Sequence, residues 1–262
     1  FGMGIRGAAI ATVLAQAVSA ILCGTYVLRN YREYLPSKAD FRVPGNMLAA
    51  LFSTGIAMAM MSSLVDCGSV IFQRSNNVLG ETYITAYTAG RRLMMIMIQP
   101  LATIAVAASS FVGQNWGAKK PDRIQRGIKL AMLLELGWSF FAAGVIFLFG
   151  GLLIRFTTGT SDKEIIDLAT LSLRIHFAMF PFLGVLFCIR NVMQAMGRKV
   201  APVLSSCIEL AMKILSAYIL IPRLGFLGTC VTEPVTWVLM TTFLMAVYLI
   251  IRKRIYASLT AQ

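Results

Sequence analysis

IKLAMLLELGWSFFAAGVIFLFGGLLI, residues 128–154, decides the fold. Lys129 and Glu135 are its only charges, and everything else is apolar, aromatic, small or a hydroxyl. An apolar run of eighteen or more residues with so few charges reads as a membrane-crossing helix, because about 20 residues at 1.5 Å each span the hydrocarbon of a bilayer. The rest of the chain repeats the pattern. Comparable runs occupy residues 4–28, 47–73, 83–112, 165–196, 200–221 and 225–251, which gives about seven spans. Of the 262 residues, 58% are hydrophobic and 13% charged, against roughly 45–50% and 25% in a soluble domain. Water could not solvate so much apolar surface, whereas a helix in lipid satisfies its own backbone. The expected class is therefore an all-α membrane protein, with the bilayer as its first partner.

The formal charge of +13, from 24 Lys+Arg and 11 Asp+Glu, is a matter of topology and not a nucleic-acid footprint. Loops after the first, third, fifth and seventh spans hold 14 of the 24 basic residues, and the opposite loops hold five. That bias places Phe1 outside and the C-terminus in the cytoplasm. Five cysteines lie scattered in apolar stretches without C-x-x-C spacing and read as small packing residues. No metal-ligand cluster, H-E-x-x-H or G-x-S-x-G pattern appears, so the chain does not read as an enzyme. Pro100 is expected to kink the long third span. A pair of glycines opens the first span (Gly4, Gly7) and again the seventh (Gly225, Gly228). This suggests a parallel duplication of six helices per half, with about five helices expected upstream of Phe1.

Charges at bilayer depth cost roughly 2.5–3.5 kcal/mol and so face a bundle interior or a wet cavity. In the second span Ser62, Asp66, Ser69 and Gln73 fall on one helical face, extended by Met58. Asp66 is a candidate for binding a proton or sodium. In the sixth span Glu209 precedes Lys213 by four residues, the favourable order for an ion pair. Arg92 shares a face with Thr88, Gln99 and Thr103 and is expected to point inward, with Met94 beside the cavity. Glu135 sits deep in the fourth span. His176 is the only histidine, and an imidazole ordinarily titrates near neutral pH. Asp66, Glu209, Glu135 and His176 are thus the coupling candidates. Ser62, Ser69, Gln73, Arg92, Gln99, Met58 and Met94 are the cavity candidates.

The segment Phe111-Val112-Gly113-Gln114-Asn115-Trp116-Gly117-Ala118-Lys119-Lys120 resembles the multidrug and toxic compound extrusion (MATE) family, which carries Val-Gly-Gln-Asn-x-Gly-Ala at the cytoplasmic end of its eighth helix. The stretches at 85–92 and 193–197, Glu209, and Pro234 with Trp237 are also similar to that family, and residues 4–16 resemble the opening of its sixth helix. The resemblance implies that these are family helices six to twelve. Residues 1–30 would be the last helix of an N-terminal lobe, 31–45 a cytoplasmic linker, and 46–262 a six-helix lobe of a 6+6 parallel-repeat transporter. It also implies Gly113, Gln114, Asn115, Gly117 and Ala118 as a cytoplasmic motif, with Asp66 near the place where the family's seventh helix often has a Glu. The implied function is a plasma-membrane antiporter exporting organic cations or drug-like amphiphiles against Na+ or H+, with no other cofactor. The missing N-terminal lobe and a small organic molecule would be its partners. Two alternatives remain open. One is a lipid-linked saccharide flippase of the same superfamily, suggested by the intramembrane Arg91, Arg92, Arg174, Arg190 and Lys213. The other is a non-transporting fragment.

Overall fold

The computed structural model describes residues 3–37, 40 and 42–260, apart from the side chains at 5, 8, 34 and 253–260. Phe1, Lys38 and the side chains of Lys253 and Arg254, on which the expected orientation draws, lie outside the described residues. Among the described residues there are helices and no strands. They form two compact units, residues 1–52 and 53–262. The first holds α1 (Gly4–Asn30), a short 3-10 turn (Arg32–Tyr34) and the start of α2 (Gly45–Asn76). α1 presents exposed side chains almost throughout, as a helix surrounded by lipid can.

The second unit continues α2 and adds α3 (Glu81–Gly117), α4 (Pro121–Thr158), α5 (Lys163–Ala178) and α6 (Phe180–Ala195), then α7 (Val200–Leu215), α8 (Ile221–Leu224) and α9 (Phe226–Thr260). Among the described residues six helical stretches are long and apolar enough to cross a bilayer, and the bent pair α5–α6 makes up to seven. The chain is a multi-pass membrane protein.

Local chemistry sets these boundaries. Pro121 starts α4, where its missing N–H has no intrahelical partner to lose. Gly159, at φ 66°, ends it in the left-handed conformation that disfavours a Cβ. The Asp162 carboxylate caps α5 by accepting from the N–H groups of Glu164 and Ile165. The expected single span over 165–196 is broken: α5 and α6 meet at 51°. Pro181, in the first turn of α6, cannot donate to the carbonyl four residues back, so the two helices are not one rod. Phe177 and Phe180 stack at 4.4 Å across the break, both wholly buried. α3 and α9, by contrast, continue helical through Pro100 and Pro234.

α7 runs through a π-helical segment, Ser216–Leu220, into α8 and turns at Gly225. Gly225 has φ 57° and Gly4 has φ 50°, so the first glycine of each repeated pair takes a positive φ. At Gly228 a Cβ would lie 2.6 Å from the Leu220 carbonyl oxygen, so only hydrogen fits.

α3 is the centre of this unit, packing on α4, α5 and α6, while α9 packs on α5, α6 and α7. The core rows are Leu101, Ala105 and Val112 of α3 with Ile124, Ile128 and Ile146 of α4. Large apolar side chains such as Phe140, Leu148 and Phe156 of α4 stay exposed, which in lipid carries no hydrophobic penalty.

Candidate functional site

The packed face of α2 is the row Val65, Gly68, Ser69, Phe72 and Asn76. The backbone at Gly68 comes so close to α7 that a Cβ there would meet the Lys213 stem at 2.9 Å. Between this face and α3, α6, α7 and α9 lies a cavity of about 310 Å³, at the small end of the ~300–1,000 Å³ typical of small-molecule sites. Its apolar lining includes Met94, Leu183, Phe187, Trp237 and Met240, and five charged side chains enter it.

These charges form three groups. Arg91 Nη1 of α3 donates to Glu233 Oε1 of α9 at 2.6 Å, with the guanidinium 5.9 Å from the Tyr87 ring centroid. Behind Glu233, His176 Nε2 of α5 lies 3.6 Å from Oε2. His176 Nδ1 is 2.7 Å from the Ser172 carbonyl. That carbonyl can only accept, so Nδ1 carries the hydrogen. Nε2 then faces the carboxylate lone pair to lone pair unless a proton sits on one of them. In the second group Lys213 Nζ donates to Glu209 Oε1 at 2.9 Å and to Ser69 Oγ at 2.8 Å, joining α7 to α2. The third is Arg190 of α6, whose Nη2 donates to Ser205 Oγ of α7 at 2.8 Å.

The model of the MatE family matches residues 56–219, more than half of the chain. The chain belongs to the MatE family. Among curated proteins, a probable multidrug resistance protein NorM of Thermotoga maritima is 24% identical over 86% of this MatE chain and 49% of its own length. The multidrug export protein MepA of Staphylococcus aureus is 22% identical over 87% of this chain and 50% of its own. The chain thus spans about half the length of the curated relatives it matches. The crystal structure of a mutant of the Vibrio cholerae MATE transporter VcmN superposes with TM-score 0.85 at 21% identity, covering 97% of this chain and 58% of that one. At that identity the likeness is one of fold.

Of the residues singled out from the sequence of this MatE chain, Ser69, Met94 and Glu209 line the cavity, and His176 is buried behind Glu233. The remainder of the α2 stripe lies elsewhere. Ser62, Asp66 and Gln73 are exposed on the unit's outer face, and Gln73 donates to Asn77 at 2.9 Å. Met58 lines a separate cavity of about 230 Å³ with Met61 and Gln194. Arg92, expected to point inward, is exposed, together with Thr88, Gln99 and Thr103. Its neighbour Arg91 enters the cavity instead, because Gly90, Leu93 and Met94 set which face of α3 packs. Glu135 is wholly buried between α4 and α6, away from the cavity, and neither carboxylate oxygen has a hydrogen-bond partner.

The Gly113–Ala118 motif builds the turn from α3 into α4. Asn115 is buried and donates to the Phe111 carbonyl at 2.8 Å, while its own carbonyl accepts from the Lys120 N–H. The Ala118 N–H caps the Gln114 carbonyl, and Lys119 takes φ 52°. Gly113 is half-buried, and Gln114, Gly117 and Ala118 are exposed. Sequence reading misses the Arg91–Glu233 pair, whose members are 142 residues apart. The available signal is Glu233 itself, an acid in the outer third of the seventh span with Trp237 one turn on.

Proposed function

We propose that the chain is one lobe, preceded by a single helix, of a proton-coupled antiporter that exports drug-like amphiphiles by alternating access across the plasma membrane, its C-terminus cytoplasmic. Residues 1–30 would close the other lobe, 31–45 would link the two, and 46–262 would form this one. The observation that carries the coupling is the chain Arg91–Glu233–His176 at the cavity wall. It brings α3, α9 and α5 together at one carboxylate, with a buried imidazole nitrogen that has no hydrogen-bond partner 3.6 Å away. A proton moving onto Glu233 would discharge the pair with Arg91 and loosen α3 from α9. Loss of this half-buried pair is worth about 2 kcal/mol, enough to shift the balance between two conformations of a lobe roughly thirtyfold.

Protons suit this geometry better than sodium. Both carboxylates of the cavity are already engaged by Arg91 and Lys213, and Na+ would have to displace a fixed cation to find its oxygens. An organic cation meets the same difficulty, so amphiphiles are the better supported substrate. The exposed polar faces of α2 and α3, with Asp66, Ser62, Gln73, Arg92 and Gln99, would line the cleft toward the other lobe. Lipid is a poor neighbour for them. The names of the relatives, multidrug resistance and export proteins, agree with this reading.

The test is dye efflux from proteoliposomes of the full-length transporter. A proton gradient alone should drive it and a sodium gradient alone should not. Efflux driven only by sodium would reject the proton assignment.

A further inference from the structure

The cavity holds three cationic side chains, Arg91, Arg190 and Lys213, and two carboxylates, Glu209 and Glu233. Each carboxylate is taken: Glu233 by Arg91 at 2.6 Å and Glu209 by Lys213 at 2.9 Å. Arg190 is left over. Among the described residues no carboxylate lies within ion-pair distance of it. Ser205, a neutral hydroxyl that itself donates to the Pro202 carbonyl, is the acceptor it has. Its Nε–H is buried without any hydrogen-bond partner. A guanidinium presents five N–H donors in a fixed planar fork that matches carboxylate and phosphate oxygens in pairs. Arg190 is half-buried, and a cation with one donor shut away from water and unpaired is costly unless something anionic completes it. Apart from the hydroxyls of Ser69 and Thr236, the rest of the lining is apolar and aromatic and includes Phe187 and Trp237.

We infer that this cavity takes its amphiphile by an anionic group, a carboxylate, sulfonate or phosphate, seated on Arg190, with the apolar body against Phe187 and Trp237. The inference rests on the cavity being the substrate site proposed above and adds the sign of charge it selects. Arg190 acts here as a binding residue and has no part in moving the proton.

The experiment compares two dyes of one xanthene scaffold and opposite charge, fluorescein and tetramethylrhodamine methyl ester, binding to the purified full-length transporter by fluorescence polarisation. Fluorescein should bind roughly tenfold tighter, as a charge-assisted fork contact warrants. Arg190→Gln should weaken fluorescein by about tenfold and leave the rhodamine ester unchanged. Arg190→Lys, which keeps the charge and loses the fork, should retain the preference at reduced affinity. Circular dichroism and a melting curve on each variant show that it is folded. Tighter binding of the rhodamine ester, or fluorescein affinity indifferent to Arg190→Gln, overturns the inference.

Ile98→Trp, which fills the cavity, separates the two levels. If both dyes still bind that variant, the cavity is not the substrate site and both readings fall. If it blocks the rhodamine ester while fluorescein never binds, the site stands and only its charge preference falls. Repeating the binding in nanodiscs of phosphatidylcholine and of phosphatidylglycerol then distinguishes two sources of the anion. Competition that depends on Arg190 assigns the seat to a lipid headgroup, and no competition assigns it to a soluble amphiphile; either supports an anion seat.

Discussion

Replacing Arg91 with Met strips Glu233 of its direct ion-pair partner and leaves His176 3.6 Å away. The side chains of the pair are 34% and 13% exposed. Removing one partner of a fully buried ion pair costs roughly 3–5 kcal/mol, and exposed pairs are worth little. With a third of the guanidinium reaching outside, the expected loss is about 2 kcal/mol. For a chain of this size that lowers Tm by about 4–8 °C. Glu233→Gln should cost a similar amount by orphaning Arg91. The double variant Arg91→Met, Glu233→Gln removes both charges and should return to within about 1 kcal/mol of the parent. The coupling energy of this cycle is then about 3–4 kcal/mol, at or just above the top of the range for residues in contact. Melting of the purified protein in detergent, followed by intrinsic fluorescence, reads all four members. A double variant that loses the sum of the two singles would refute the pairing.

Three further outcomes are expected in the same melting assay. Phe177→Ala empties a wholly buried site and unstacks Phe180 at the α5–α6 break, for about 3–5 kcal/mol; a loss below about 1 kcal/mol would mean the break is held by something else. Gly228→Ala drives a Cβ into the Leu220 carbonyl and should cost about 1–3 kcal/mol, whereas Gly137→Ala, in open space, should cost nothing measurable. Asp162→Ala removes the cap of α5 for about 1 kcal/mol, and Asp162→Asn should restore most of it.

The spans are legible because bilayer thickness is written into apolar run length, and residues 128–154 fall inside one helix of the structure. The break at Met179 is not, although Phe180-Pro181 carries it: hydropathy does not register a missing N–H. The Glu209–Lys213 pair is legible because i, i+4 is local geometry. The choice between Arg91 and Arg92 is not. Adjacent residues point about 100° apart on a helix, and which one turns inward depends on partners from other helices, here Gly90 against Ala169 and Leu173 of α5. On α2 the polar stripe draws the reading to Asp66, while small and apolar residues, Gly68 and Phe72, define the packed face. The sequence shows Glu233 as an intramembrane acid, but its pairing with Arg91, 142 residues away, leaves no trace in a single sequence.

In the proposed coupling the proton moves through Glu233. In proteoliposomes of the full-length transporter with a pH-sensitive dye inside, substrate addition should evoke a proton flux. In Glu233→Gln that flux should vanish while substrate still binds. A Glu233→Gln transporter that moves protons with substrate as the parent does would contradict the central claim.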